Sequence, residues 1–339
     1  MENKRYLIIY HGDDNDGVVS GAILYDYLIR KKKVPEASIE TFAANYNKLK
    51  DWWSYITPNG LREKYDVIIM TDISFNDSNC MKALWDEYKY DFIWCDHHKP
   101  IIKESVEKKF HETPGIRQTD RSAILCVWKY LYDPFDLDYN NKNIPEFFNI
   151  LSAIDSWTFE ERGYDKDYVT DVNKGVTSTY NLDFNAILKI VTSIVSNWEK
   201  KLIPDNYMLN IIETCRMTGH NFNSYDAQKA ERLIKEYGDN TWLIQLPDGS
   251  TRTACALFTQ GGSNSSMFKT CLNSIQNGIV FKHQRNGDWA ISLYNKTDDS
   301  TFHCGDFLKK KYNGGGHEGA AGCTISQKQF IDILLTKIL

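Results

Sequence analysis

The sequence has no hydrophobic run long enough to cross a membrane. No apolar stretch among its 339 residues approaches the ~20 residues that span a bilayer, and residues 1–5 do not begin a secretory signal. Its eight cysteines include no Cys-x-x-Cys pair and no regular spacing. Such cysteines are typical of reduced thiols and not of a disulfide framework. We therefore expect a cytoplasmic protein that has no membrane partner.

An excess of positive charge is also missing, because 40 Lys and Arg residues face 45 Asp and Glu residues, which leaves a net charge of −5. This balance argues against a protein that coats long nucleic acids by charge alone, but it is compatible with a local nucleic-acid site. No internal repeat and no low-complexity segment is present. The chain is longer than the ~250–300 residues of a single core, so we expect more than one domain.

Short apolar runs alternate with helical patterns in the first part of the chain. Runs at residues 6–10, 66–70 and 91–94 predict buried strands, and the segments between them carry the apolar spacing of helices. This alternation predicts a parallel sheet built from right-handed crossovers. We therefore predict an α/β protein with an N-terminal parallel-sheet domain at residues 1–160, a helical connector at 161–240, and a smaller C-terminal α/β domain at 241–339.

Histidines and carboxylates follow three of the predicted strands at the point where each strand ends. Parallel sheets bind ligands beyond the carboxyl ends of their strands, so these side chains should share one edge. A carboxylate-rich set with imidazoles and no thiolate favours Mn²⁺ or Mg²⁺ over a structural zinc ion. Two such ions bridged by a carboxylate form the usual clamp for phosphoester hydrolysis. The residues concerned are His11, Asp14, Asp16, Asp72, Asp96 and His97, with the central Asp72 as the predicted bridge.

The first of these motifs, His-Gly-Asp-Asp-Asn-Asp-Gly, has two alternative interpretations. A calcium EF-hand loop fails because, aligned on Gly17, neither the first nor the last position carries an oxygen ligand. A turn rich in Asp and Asn, without a metal, stays an alternative. The adjacent Asp13 and Asp14 leave the register of the first ligand open. We prefer Asp14 because it pairs with Asp16 two residues later.

A glycine-rich segment near the C-terminus is the second candidate binding feature. Consecutive glycines expose backbone N–H groups and allow an anion to approach closely. The following histidine can donate to a phosphate, whereas the Lys-Ser/Thr ending of a Walker loop is missing. A flexible hinge is the alternative interpretation. The segment comprises Gly314, Gly315, Gly316 and His317.

In their order and spacing, these motifs resemble the DHH phosphoesterase superfamily, in the subfamily with a C-terminal DHHA1 domain. The match covers nearly the whole chain. It rests on the opening motif, the lone Asp72, the triplet Asp96-His97-His98, the acid of Ser-Ala-Ile-Asp155-Ser-Trp, and Gly-Gly-Gly-His317. The resemblance implies that the first domain is the catalytic DHH domain and that the last is a substrate-binding DHHA1 domain.

The resemblance also implies roles for individual residues in a two-Mn²⁺ site. One ion would be held by His11, Asp14 and Asp72, and the other by Asp16, Asp72, His97 and Asp155. His98 would contact the scissile phosphate, while Asp96 would orient a neighbouring histidine. In the second domain, the nucleotide end of the substrate would be bound by Gly314, Gly315, Gly316 and His317. Ser122 and Ala123 match, more loosely, a position that lines the substrate cleft.

The sequence departs from the family in the second domain. Members often carry an arginine in a Ser-Leu-Arg-Ser segment, where this chain has Ser292-Leu293-Tyr294-Asn295. The substrate-binding arginine would then be supplied by another residue, and Arg252 and Arg285 are the candidates.

The leading functional hypothesis is a metal-dependent phosphodiesterase that hydrolyses short single-stranded oligonucleotides or dinucleotides to mononucleotides. A RecJ-like 5′→3′ exonuclease on single-stranded DNA and a cyclic-dinucleotide phosphodiesterase are alternatives with the same site. The pyrophosphatase branch of the superfamily is disfavoured because it lacks the Gly-Gly-Gly-His domain. A nucleotide sensor without catalysis is the non-enzymatic alternative. The sequence makes no prediction of oligomeric state.

Overall fold

The computed structural model describes residues 4–56, 58–132, 143–201, 205–237, 241–259, 268, 275–296 and 299–339. The chain forms two compact units, Met1–His220 and Asn221–Leu339. None of the helices in the described part is long and apolar enough to span a membrane. A helix predicted near residues 267–275 falls almost entirely outside the described residues.

A four-stranded parallel sheet forms the centre of the first unit. Its strands are β1 (Tyr6–His11), β2 (Ile39–Ala44), β3 (Val67–Thr71) and β4 (Phe92–Cys95), in the order β2-β1-β3-β4. All neighbouring strands run parallel. The predicted parallel α/β architecture is therefore confirmed.

Helices cover both faces of this sheet. In order they are α1 (Asn15–Arg30), α2 (Tyr46–Ser54), α3 (Pro58–Lys64), α4 (Ser78–Tyr88), α5 (Lys99–Glu107), α6 (Ala123–Tyr132), α7 (Glu146–Asp155), α8 (Lys166–Tyr180) and α9 (Phe184–Glu199). Ile8 and Tyr10 of β1 belong to one buried cluster with α1, α6 and α9, whereas Leu7 and Ile9 belong to a second cluster with α4. Successive side chains of a strand point to opposite faces, so a strand covered on both faces is apolar throughout.

One long helix, α10 (Asn206–Tyr237), replaces the two shorter helices that residues 208–217 and 224–237 predict. Gly219, which lies between those two predicted helices, is a close crossing point. A Cβ there would lie 1.8 Å from the carbonyl oxygen of Asp171 on α8, and one on Gly175 would lie 1.7 Å from that of Cys215 on α10. Glycine on both helices lets the two backbones pack closely.

The second unit contains a mixed six-stranded sheet. Its elements are β5 (Thr241–Gln245), β6 (Thr251–Phe258), β7 (Asn277–His283), β8 (Trp289–Asn295), α11 (Cys304–Tyr312), β9 (Gly315–Gly316), β10 (Ala320–Ile325) and α12 (Gln327–Thr336), in the strand order β5-β6-β7-β8-β10-β9. Among the pairs formed by these six strands, β6 and β7 are parallel and the others are antiparallel. Phe307 and Leu308 of α11 and Phe330 of α12 join the sheet residues in one buried cluster, which agrees with the predicted smaller α/β domain.

Candidate metal centre

The carboxyl edge of the parallel sheet gathers the predicted histidines and carboxylates. His11 ends β1, and Asp14 is the N-cap of α1, with its Oδ1 accepting the N–H of Gly17 at 2.9 Å. A Cβ on Gly17 would lie 2.1 Å from the carbonyl oxygen of His11. The first turn of α1 therefore lies so close to the end of β1 that only glycine fits, and this holds Asp14 and Asp16 beside His11.

Asp72 lies at the centre of the edge, directly after β3. Its φ of +56° places a non-glycine residue in the left-handed region, where strain is a known feature of functional sites. Its N–H donates to the carbonyl of Cys95 at the end of β4. Its two carboxylate oxygens face different histidines, with Oδ2 3.6 Å from Nδ1 of His11 and Oδ1 3.2 Å from Nε2 of His97.

Three groups of possible ligands overlap at Asp72 and His97 in the described part of the chain. The first is His11, Asp14 and Asp72, the second is Asp16, His97 and Asp155, and the third is Asp72, His97 and His98; within each group one ligand atom per residue lies within 4.8 Å of the others. In the second group, Nε2 of His97 lies 3.5 Å from Oδ2 of Asp155 and 3.9 Å from Oδ2 of Asp16. The structure thus brings together all six residues that the sequence assigns to metal binding.

Backbone N–H groups at the start of α6 hold Asp16 in place. Its Oδ2 accepts from Ala123 at 2.7 Å and its Oδ1 from Ile124 at 2.9 Å. A helix N-terminus favours a carboxylate in this position. Ser122, predicted to line the substrate cleft, directly precedes this helix; it is fully buried, and its hydroxyl has no hydrogen-bond partner among the described residues.

Asp96 is fully buried and fixes the orientation of His98. Its Oδ1 accepts from the backbone N–H of His97 at 2.7 Å and lies 2.7 Å from Nδ1 of His98, while its Oδ2 accepts from Nε1 of Trp94 at 3.0 Å. Burial raises the pKa of Asp96, but the charges of His98 and His97 outweigh it and leave the pKa lowered. Asp96 is therefore an ionised anchor whose bond to Nδ1 leaves Nε2 of His98 for other contacts.

Two carboxyl groups of this edge, Asp16 and Asp155, have raised pKa values. Burial first, and then the charges of Asp155 and Asp72, raise the pKa of Asp16. Burial raises the pKa of Asp155 to about 7, against the opposing charge of His97 and with the repulsion of Asp72. Burial lowers the pKa of His11, but bonds to Asp14 and Asp72 outweigh this and raise it to about 11. A cluster with these raised pKa values binds protons when no cation is present. A bound divalent cation would neutralise its negative charge more favourably.

The residues present fit divalent cations. The donors are four carboxylates and three imidazoles, and no thiolate belongs to any of the groups. Oδ2 of Asp155 is buried and accepts no hydrogen bond in the described part of the chain, although Nε2 of His97 lies 3.5 Å away. A buried carboxylate oxygen without a hydrogen bond is expensive unless an ion coordinates it. The chemistry of the set matches Mn²⁺ or Mg²⁺.

Close packing explains two of the predicted glycines of the second unit. A Cβ on Gly314 would lie 2.5 Å from the carbonyl oxygen of Gly322, and Gly316 has φ +140° and pairs with β10 as part of β9. Gly315 faces open space, and His317 is exposed, with its backbone N–H donating to Ala320. The segment is therefore a paired strand edge, and its phosphate-binding role stays a prediction.

Arg252 has a buried and fully engaged guanidinium. Its Nε donates to Oδ1 of Asn277 at 2.9 Å, its Nη1 lies 3.3 Å from the hydroxyl of Thr301, and its Nη2 pairs with Asp299. Its guanidinium also lies over the ring of Phe302. These contacts favour a structural role over the predicted substrate contact, because each nitrogen already has a protein partner.

Tyr46, at the start of α2, is a residue of this edge that the sequence analysis missed. Its ring centroid lies 6.1 Å from that of His11 and 6.5 Å from that of His98, and the residue is 37% exposed. Burial of its hydroxyl and the charges of Asp96 and Asp72 raise its pKa, so the hydroxyl stays a donor. The strand-end rule applied to β2, which Asn45 and Tyr46 directly follow, would have found it.

The fold of this chain is similar to that of solved phosphoesterase structures, whereas sequence comparisons find no relative. No protein-family model matches the chain, and a search of the curated proteins finds no match. The structure of RecJ in complex with Mn²⁺ from Thermus thermophilus is 13% identical, with 99% of this chain and 52% of that chain covered and a TM-score of 0.50. The fold is thus the one seen in RecJ, and the fold that the DHH/DHHA1 resemblance implied is confirmed.

Two further structures cover both chains more evenly. A pGpG-specific phosphodiesterase, PggH, from Vibrio cholerae is 14% identical over 98% of this chain and 97% of that chain, with a TM-score of 0.47. An exopolyphosphatase-related protein from Bacteroides fragilis is 14% identical over 99% and 91%, with a TM-score of 0.45.

Proposed function

We propose that this chain is a metal-dependent phosphodiesterase of the DHH/DHHA1 kind that hydrolyses short oligonucleotides or dinucleotides to mononucleotides. The observation that carries the proposal is the position of Asp72. Its two oxygens face His11 and His97 separately, at 3.6 and 3.2 Å, as a carboxylate between two ions would. One ion would be held by His11, Asp14 and Asp72, and the other by Asp16, Asp72, His97 and Asp155.

Bound ions would supply an activated water and would offset the charge that builds on the phosphoryl oxygens. The chain itself orients the phosphate. Burial lowers the pKa of His98, but Asp96 outweighs this and raises it, which favours the doubly protonated imidazolium. A protonated Nε2 donates to a phosphoryl oxygen, and the hydroxyl of Tyr46 is a second donor on the same side of the site. Both donors are held in place before substrate binds, which favours the transition state.

Mn²⁺ is the ion we propose, since the RecJ structure with the matching fold is described as a Mn²⁺ complex and the donor set of this chain suits it. The preference for short substrates follows from the net charge of −5, which gives little attraction for a long polyanion. Processive 5′→3′ degradation of single-stranded DNA, the exonuclease alternative that the sequence motifs leave open, is the second candidate.

Hydrolysis of a length series tests the proposal. The purified protein with Mn²⁺ is incubated with labelled di- to pentanucleotides, a 20-mer of single-stranded DNA and a cyclic dinucleotide. We expect mononucleotide release that is fastest for the shortest linear substrates and lost on chelation. A rate that rises with length would favour the exonuclease, and preference for the cyclic substrate would favour the signalling phosphodiesterase. No hydrolysis of any substrate by metal-loaded protein would refute an enzymatic role and favour the sensor.

A further inference from the structure

Asn15, the first residue of α1, has a buried side chain that contacts α8. Its Nδ2 donates to the backbone carbonyl of Asn173 at 2.9 Å, to Oδ1 of Asn173 at 2.7 Å and to the hydroxyl of Thr177 at 3.0 Å. Asn173 and Thr177 are four residues apart, so both lie on the same face of α8. Asn15 therefore ties the first turn of α1 to this face of α8.

Stability alone does not account for an asparagine at this position. Oδ1 of Asn15 is buried and accepts no hydrogen bond from the described residues. The opposite orientation of the amide would set Oδ1 against the carbonyl oxygen of Asn173. A buried acceptor without a partner is unfavourable, whereas alanine has a higher helix propensity and buries no polar group. A role in positioning the neighbouring residues would explain the asparagine.

The residues on either side of Asn15 are predicted metal ligands that belong to different groups. Asp14 belongs to the group of His11, and Asp16 belongs to the group of His97. Adjacent residues at the start of a helix point in different directions. Both carboxylates can therefore face the carboxyl edge of the parallel sheet while the amide between them faces α8, and the position of this one turn affects both ligand groups.

The two carboxylates differ in what else holds them. Asp16 accepts two backbone N–H groups at the start of α6, which is a distant segment of the chain. The carboxylate of Asp14 accepts from the N–H of Gly17 and lies 2.9 Å from Nδ1 of His11, and both of these residues belong to the same loop and turn. Asp14 therefore depends more than Asp16 on the contact that Asn15 makes with α8.

We propose that Asn15 is a positioning residue of the candidate metal centre, which sets the affinity for the ion held by His11, Asp14 and Asp72. The inference rests on the proposed function, because it requires the two ions. Asn15 acts through Asp14 and contacts neither ion. Since α8 lies in the predicted helical connector, that segment would take part in ion binding as well as joining the two domains.

The test measures Mn²⁺ binding by the purified protein without substrate. Calorimetry gives the dissociation constants, and electron paramagnetic resonance detects the coupling between two neighbouring Mn²⁺ ions. We expect the wild type to bind an ion pair. In Asn15→Ala we expect one dissociation constant to rise about tenfold, at the lower end of the effect of residues that orient metal ligands, and the other to stay unchanged. Asn197→Ala, which removes an amide bonded to Asp205, is the matched control and should keep both constants.

A double variant identifies the affected ion. Asp14→Asn should weaken the ion of the first group directly. If Asn15 acts through Asp14, adding Asn15→Ala to this variant should cause little further loss. Full additivity of the two substitutions would overturn the positioning role. An equal loss of affinity for both ions in Asn15→Ala would also overturn it, because a general loss of structure has that effect.

The outcomes for the wild type and the variant are distinct. A wild type that binds no ion pair would refute the proposed function and this inference with it. A wild-type ion pair that Asn15→Ala leaves unchanged would refute this inference alone. If Asn15→Ala does not fold, Asn173→Ala combined with Thr177→Val removes two of the three acceptors and should weaken the same ion about threefold. Unchanged constants in that variant would overturn the role of the contact with α8.

Discussion

The two units of the chain differ in how their predicted site residues are placed. In the first unit, six predicted ligands meet at one edge; they come from the ends of β1, β3 and β4, the start of α1 and the end of α7, in groups that overlap at Asp72 and His97. In the second unit, the predicted residues have other partners: Arg252 pairs with Asp299, and Gly314 and Gly316 are required by strand packing. The topology of a parallel sheet brings the residues at its strand ends together, so their position can be predicted from the order of the strands. A phosphate contact depends instead on tertiary partners that a sequence motif does not reveal.

The strongest test of this contrast is Asp72→Asn. Asparagine keeps the shape and tolerates the φ of +56°, but it weakens both ligand groups at once. We expect kcat to fall by about 10³-fold or more, with stability of the metal-free protein retained. Activity is measured on a dinucleotide with Mn²⁺, and stability by thermal unfolding. A variant that keeps more than a tenth of the activity would contradict the bridging role.

The second prediction compares the effect on stability of a glycine substitution in each unit. Gly17→Ala would place Cβ 2.1 Å from the His11 carbonyl, while Gly315→Ala meets open space. We expect Gly17→Ala to lower the free energy of unfolding by about 3 kcal/mol or more and Gly315→Ala to change it by less than about 0.5 kcal/mol. Denaturant unfolding measures both. If Gly315→Ala raises KM without changing stability, the predicted close approach of a phosphate to this loop gains support.

Arg252→Met tests whether the second unit uses this residue for structure or for substrate. Removing the guanidinium leaves Asp299 without its partner, and we expect a loss of about 2–3 kcal/mol, toward the low end of the effect for a buried pair because Asp299 is partly exposed. The kcat and KM of the folded protein should be unchanged. Arg285→Met, at an exposed position, is the control. An increase in KM for Arg252→Met with unchanged stability would instead restore the substrate role predicted from the sequence.

The predicted ligands at the carboxyl edge of the parallel sheet, here called the metal edge, could be found from the sequence because parallel strands end together. Correct strand assignments were enough to place His11, Asp72 and His97 at this edge. The sequence did not predict the continuous α10, because the close packing of α8 against Gly219 involves a distant segment of the chain. It also missed Tyr46, although the strand-end rule applied to β2 would have found it. The rings near Tyr46, those of His11 and His98, come from other segments of the chain.

The metal edge should also make the stability of the cation-free protein fall as the pH rises. The pKa of Asp155 is raised to about 7 and that of His11 to about 11. The folded state therefore binds more protons than the unfolded chain between pH 5 and 8, and its stability declines with pH. Asp72 and Asp96, whose pKa values are lowered, are ionised throughout this range and add no slope.

We expect the melting temperature in EDTA to fall from pH 5 to 8, and Mn²⁺ to restore it most at the higher pH. Asp155→Asn should show a shallower fall, because the group with the raised pKa is gone. A melting temperature that rises over this range in EDTA would contradict the cluster of mutually repelling carboxylates.

The smallest expected effect concerns Tyr46, which extends the metal edge to the end of β2. Tyr46→Phe keeps the ring that packs near His11 and His98 and removes only the hydroxyl donor. One neutral hydrogen bond is worth about 0.5–1.5 kcal/mol, so we expect kcat/KM to fall about three- to tenfold, with stability unchanged. Tyr46→Leu removes the ring as well and should raise KM further if a base or sugar packs against it. Equal kinetics in Tyr46→Phe and the wild type would restrict the residue to packing. In that case the edge would be limited to β1, α1, β3, β4 and α7, as the sequence motifs predicted.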